Sequence, residues 1–385
     1  MTHPIAAIAP DRSVCTIDAE GTRTNHSSVD LPLMWASWDV QGTDSAPFSW
    51  PTWSPNARQI ACFRLPGRGR KTAAVYLMDV DGVQATELAD LGDRLPIYLF
   101  WSPDGERLAL LSQSGSKLTL SVLDPSQPGR EVSLATGSPL FFCWAGNHHL
   151  AAFVGSDEGP RIVRYHAGGR GPDHILPGRP GNFCAPLFVD ERVIYVHHEP
   201  GQTHLVSAAH DDAEPHFIES LSGLVSMVPC GDSTRIARAI APDGDATPYR
   251  QLGLVDVRTG EVVELSDEPC LAYLPAPDGS FVITAQVDTA ANLLRFRRVD
   301  LDGTSQVIAE LYPSRDLGFY LRFFEQYGQS HHLIDPSSRH LLLSGTLLGH
   351  QDASGEGKLW QIDVRNGDAR NLGPGVFGVY APSVK

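Results

Sequence analysis

The chain has 385 residues, 42% of them hydrophobic and 19% charged, and its 45 acidic and 30 basic residues leave a formal charge of -15. That balance repels phosphate backbones and anionic lipid surfaces, so neither nucleic acid nor membrane is an expected partner. With 36 glycines, 29 prolines and no run of 18 apolar residues, the composition describes a turn-rich globular chain rather than a helical or membrane-spanning one.

In chain order, Met1 to Ala9 carries neither a basic segment nor a sustained apolar one, which predicts a cytoplasmic protein. Ile5 to Ala9 and Ser13 to Asp18 read as short strands with a turn at Gly21. Cys15, Cys62, Cys143, Cys184, Cys230 and Cys270 stand singly without Cys-x-x-Cys spacing, which predicts buried reduced thiols. The insertion Pro32 to Ser49, with Trp35 and Trp38 inside it and Trp50 just beyond, offers aromatic side chains suited to contact with a ligand or partner.

A repeat begins next. Trp53-Ser54-Pro55-Asn56 precedes the apolar run Gln59 to Phe63, and 48 residues later Trp101-Ser102-Pro103-Asp104-Gly105 precedes Arg107 to Leu111. Trp144-Ala145-Gly146-Asn147 follows after 43 residues, and Pro275 to Gly279 and Ile334 to Ser337 repeat the pattern more loosely. Proline presets the first turn dihedral and Asp, Asn or Gly tolerate the rest, so each instance predicts a hairpin. A second hairpin signal, a strand followed by Asp and then Gly, recurs at Met78 to Gly82, Val255 to Gly260, Val299 to Gly303 and Ile362 to Gly367.

The two signals are the inner and outer hairpins of one four-stranded unit, at the spacing of propeller blades. Weaker units span Phe183 to Glu219 and Leu224 to Leu265, giving seven between Trp50 and Gly373. Val379 to Ser383 reads as a first strand and turn with nothing after it, and Ile5 to Gly21 supplies the missing remainder. The predicted fold is therefore an all-β, single closed β-propeller domain over residues 1–385. It has eight four-stranded blades, with seven as the alternative, and its N- and C-terminal strands share a blade to close the ring.

These repeats resemble TolB-like propeller repeats, in which Trp-Ser-Pro-Asp-Gly precedes an apolar strand and an Asp-x-x-Gly turn follows. The resemblance covers most of the chain and implies the fold. It leaves function open, because such propellers include binding proteins, scaffolds and enzymes.

In a propeller the connections into the first strand and between the second and third strands emerge on one face. The long insertions Pro32 to Ser49, Ile240 to Pro248, Pro313 to Ser330 and Leu347 to Gly357 all fall there, which makes that face the functional candidate. Within Pro313 to Ser330, Leu317, Tyr320, Leu321, Phe324 and Tyr327 recur at helical spacing and predict a short amphipathic helix over the ring. It delivers Glu325, Gln326, Tyr327, Gln329, Ser330, His331 and His332 to the rim of the central channel, with His350 and Asp352 in the neighbouring loop.

Neutral imidazole with amide or carboxylate oxygen suits Mn, Fe or Zn. The segment is similar to the Gln- and His-bearing metal strand of oligogalacturonate lyases, and that resemblance implies Gln326 and His331 as metal ligands. Gln329 stands where that family would have another His. The leading expectation is a propeller that binds a small molecule, peptide or protein on its loop-rich face without catalysis. The alternative is a lyase or hydrolase-like enzyme using His331 and His332, with or without a divalent metal.

Overall fold

The computed structural model describes residues 3–26, 48–67, 71–82, 85–181, 184–200, 202–231, 234–241, 248–350 and 357–383. These form antiparallel sheets, each running outward strand by strand, and two short helices lie between Pro313 and Gly328. The strands within 48–92, 95–137, 140–175, 187–221 and 224–266 make one four-stranded sheet each.

A seven-stranded sheet follows, because Ser305–Pro313 pairs with His340–Leu347 through Leu311 and Leu347, Tyr312 and Thr346, and Pro313 and Gly345. Divided at that pairing, it comprises a four-stranded unit over 272–313 and a three-stranded unit over 340–374. The inner position of the second unit is taken by residues 331–335, held by a bridge between Ile334 and Leu341.

The ring closes through its two ends. Phe377–Tyr380 pairs antiparallel with Ile5–Ile8, from Ile5 opposite Tyr380 to Ile8 opposite Phe377. Val14–Ile17 and Arg23–Asn25 complete that sheet on the outside. Chain ends that finish one another's sheet give each the backbone partners it would otherwise lack.

The repeated tryptophans sit at equivalent places. Each ends an innermost strand and donates its indole N–H to a backbone carbonyl of the preceding unit: Trp53 to Val379 at 3.3 Å, Trp101 to Thr52 at 3.1 Å and Trp144 to Phe100 at 2.9 Å. Burying a large ring with its one donor satisfied is how tryptophan joins neighbouring layers. The turn after each strand needs a left-handed residue, which glycine supplies without strain at Gly105 and Gly279 but Ala57 and Ser338 must adopt at φ 54° and 55°.

The weakly repeated units are joined differently. Arg238, 1% exposed on a second strand, lies between Glu219 of the preceding sheet and Glu264 of its own. A guanidinium stays charged when buried, so its desolvation must be offset by carboxylate partners, and here it has two. All six cysteines are buried thiols outside any disulfide. Among the described residues no helix is long and apolar enough to cross a membrane.

Candidate functional site

The helices α1 (Arg315–Arg322) and α2 (Phe324–Tyr327) follow the chain's departure from the outer strand Ser305–Pro313. The Ser314 hydroxyl accepts the Leu317 N–H and caps α1, while Asp316 in its first turn pairs with Arg12 of the closing sheet at 2.6 Å. Leu317, Tyr320, Leu321, Phe324 and Tyr327 are all buried, so the helical spacing in the sequence marks a real apolar face.

That face packs into the ring's opening. The Tyr327 ring stacks on Trp50 with centroids 4.5 Å apart, and its hydroxyl donates to the Ile97 carbonyl at 2.8 Å. Phe324 meets Tyr273 edge-on at 4.8 Å, and Gln329 Nε2 donates to the Pro186 carbonyl at 3.3 Å. These partners belong to the inner edges of sheets spread around the ring. The segment is a plug that closes the loop-rich end of the channel.

The two adjacent histidines diverge at this plug. His331 is fully buried, with Nε2 3.2 Å from Thr52 Oγ1 and Nδ1 2.8 Å from Ser330 Oγ. Loss of solvent pushes its pKa down to about 3, so it is neutral with both ring nitrogens engaged. His332 points the other way, into the channel below the plug, where its ring keeps open surface. Its surroundings are nonetheless dense enough that desolvation lowers its pKa as well.

Below the plug lies a cavity of about 560 Å3 that extends to the opposite, short-turn face. Every unit of the ring contributes to it, from the plug residues Gly328 to His332 at its inner end to Pro55, Pro103, Pro277, Pro336 and Pro382 at its rim. Trp53, Trp101, Trp144 and Phe188 line its wall, and the bound indole N–H groups leave those rings presenting carbon. Gln329, Ser330 and His332 supply polar atoms. No charged side chain is among its described lining residues. A concavity of about 470 Å3 on the outer edge is instead a charged surface dish, where Arg298 and Asp300 pair at 2.7 Å.

The expected candidates therefore separate. Gln329, Ser330, His331 and His332 border the cavity, whereas Tyr327 and Trp50 are plug packing and Gln326 is half-buried on α2. His350 is exposed beside Trp360 on the loop-rich side, at a ring distance of 5.3 Å. Trp35, Trp38 and Asp352 lie outside the described residues. Among the described residues no group of three or more His, Cys, Asp or Glu side chains gathers in a metal-binding arrangement.

Sequence reasoning missed the proline rim and the partner of one half-buried acid. The prolines are legible as turn formers, and their shared register was the available signal that they converge. The acid is Glu325, which accepts a hydrogen bond from the Tyr249 hydroxyl at 2.5 Å. Ser226 also bonds to it, and desolvation dominates both bonds and raises its pKa to about 7. Tyr249 lies 76 residues away in sequence, so nothing local announced the pair.

No family model and no curated protein matches this sequence. Solved propeller structures do. The C-terminal WD40 domain of Sif2 gives a TM-score of 0.54 at 12% identity, covering 93% of this chain and 92% of that one. An oligogalacturonate lyase in complex with manganese gives 0.50 at 15% identity, over 80% of this chain and 87% of that one. TolB from Acinetobacter baumannii gives 0.44 at 15% identity over 78% of this chain, which spans 62% of the TolB structure. At these identities the likeness is one of fold, and it places the ring among the β-propellers.

Proposed function

We propose that this β-propeller is a non-catalytic binding protein whose ligand enters the channel from the short-turn face and is a small, uncharged molecule. The observation that supports this reading is the cavity itself. Its volume of about 560 Å3 suits a small organic ligand, its wall is aromatic and proline-rich, and a few polar groups converge at its closed end. A charged ligand would lose its hydration without gaining a counter-charge from the described lining. His332 and Gln329 would fix orientation through hydrogen bonds.

The catalytic alternative gains nothing from His331. Both its nitrogens are engaged, and its depressed pKa makes it a poor base near neutrality. The test uses the uncharged fluorophore N-phenyl-1-naphthylamine with 1-naphthoate as its charged counterpart. Saturable one-site binding of the neutral probe is expected. His332→Trp, which fills the cavity, should weaken it about tenfold or more with the melting temperature unchanged. Binding untouched by His332→Trp would remove the cavity as the site, and tighter binding of 1-naphthoate would reverse the ligand's charge class.

A further inference from the structure

The plug carries a carboxyl group where a purely structural segment has no need of one. Glu325 sits on α2 with its carboxyl turned toward the inner edges of three neighbouring units. Tyr249 donates to it, Ser226 bonds to it, and the Ser226 hydroxyl is itself 2.8 Å from Tyr273 Oη. The other titratable group facing it is the Cys184 thiol. Tyr249, Tyr273 and Cys184 all have pKa values raised by burial first and by proximity to Glu325 second, so all three stay neutral. Among the described residues, none of the groups acting on Glu325 is a cation.

An ionised carboxylate there keeps two hydroxyl donors but has no counter-charge in a desolvated pocket, and a neutral carboxyl fits the same place at no such cost. The plug's hold on the ring is therefore tied to one proton. We infer that Glu325 is a proton-operated latch: its neutral form seats the helical plug, and its ionised form releases the plug and opens the channel to the loop-rich face. Release would turn a cavity with one entrance into a passage with two. This goes beyond the binding reading and does not depend on which ligand the cavity takes.

The sign follows from proton linkage. The seated plug holds the Glu325 proton up to about pH 7, while a released, solvated Glu325 loses it near its ordinary value of 4.5. Between those values Glu325 holds its proton more tightly in the seated state, so its contribution to seating weakens as pH rises, and above pH 7 its released form gains no further advantage. Deprotonation thus moves the equilibrium toward release across this window, and the neutral isostere glutamine is indifferent to it.

Hydrogen exchange of the full-length protein, followed by mass spectrometry of peptides within 315–331, reads the release directly. Comparing wild type with Glu325→Gln at one pH cancels the chemical exchange rate. The two proteins should exchange alike near pH 4.5, and at about pH 8 the plug amides of wild type should exchange roughly 300-fold faster than those of Glu325→Gln, as a shift of about two and a half pH units implies. Labelling of Cys184 by a maleimide should follow the same difference. Tyr249→Phe removes a donor that stabilises the carboxylate, so its plug release should keep growing with pH beyond the point where wild type levels off, the opposite direction to Glu325→Gln. Equal plug exchange in wild type and Glu325→Gln at pH 8, with both proteins folded, overturns the latch. Should Glu325→Gln fail to fold, Tyr249→Phe decides, and a release profile unchanged from wild type overturns it.

Discussion

The two ends of the channel are built from the same inner strands and differ in what fills them. At the loop-rich end, strand starts such as Trp50, Ile97 and Tyr273 meet a helical plug that uses their ring faces and carbonyls. At the short-turn end, the same strands finish in tryptophans and prolines around open space. His331 and His332 show the boundary at the scale of one residue, since the first is locked into the packing and the second lines the cavity. A functional site is thus set less by which residues stand at a strand start than by which end of the channel an insertion occupies.

The harshest way to break the comparison is to open the ring. Deleting 376–385 removes the strand Phe377–Tyr380, its four pairings with Ile5–Ile8, and Phe377 from beneath Trp50. Loss of the cooperative thermal transition is expected, and a truncated protein melting with the full-length one would show that closure does not hold the fold. Next comes the wall between the two ends. Trp101→Ala should cost about 3 to 5 kcal/mol in chemical denaturation, as other buried aromatics do. An effect below about 1 kcal/mol would show that the shared tryptophan register carries no inter-unit packing.

The adjacent histidines sharpen the contrast. His331→Ala should destabilise the protein by about 1 to 3 kcal/mol, through the Thr52 and Ser330 hydroxyls left behind. His332→Ala should stay within about 0.5 kcal/mol and act on binding instead. Equal losses of stability would erase the distinction between plug and cavity. A pH titration separates them further. The folded-state pKa of His331, depressed to about 3, makes the unfolded chain the better proton binder between pH 6.5 and 3. Stability should therefore fall as pH drops through that window, and His331→Gln should flatten the acid limb. Within the plug's packing the smallest loss belongs to Tyr327→Phe, which removes the bond to the Ile97 carbonyl for about 1 kcal/mol.

The fold was largely legible in the sequence because its signals are local. Trp-Ser-Pro-Asp turns, the spacing of Trp53, Trp101 and Trp144, and the unfinished strands at both ends each state a backbone requirement within a few residues. The helical periodicity from Leu317 to Tyr327 was local too, and it correctly announced an amphipathic helix. What it could not state was the partner of that apolar face, because Trp50, Ile97, Tyr273 and Pro186 come from four separate units. The same holds for the site. Gln329, Ser330, His331 and His332 were legible as a polar run at the channel, but only the plug's depth decided that His331 would be buried and His332 would face open space. Glu325 and Tyr249 meet across 76 residues, and the proline rim converges only when the ring closes. Turns and strands follow from short-range sterics and alternation, which the sequence carries by itself. The burial of a particular imidazole or carboxyl depends on desolvation by distant segments, which only the closed ring with its plug in place determines.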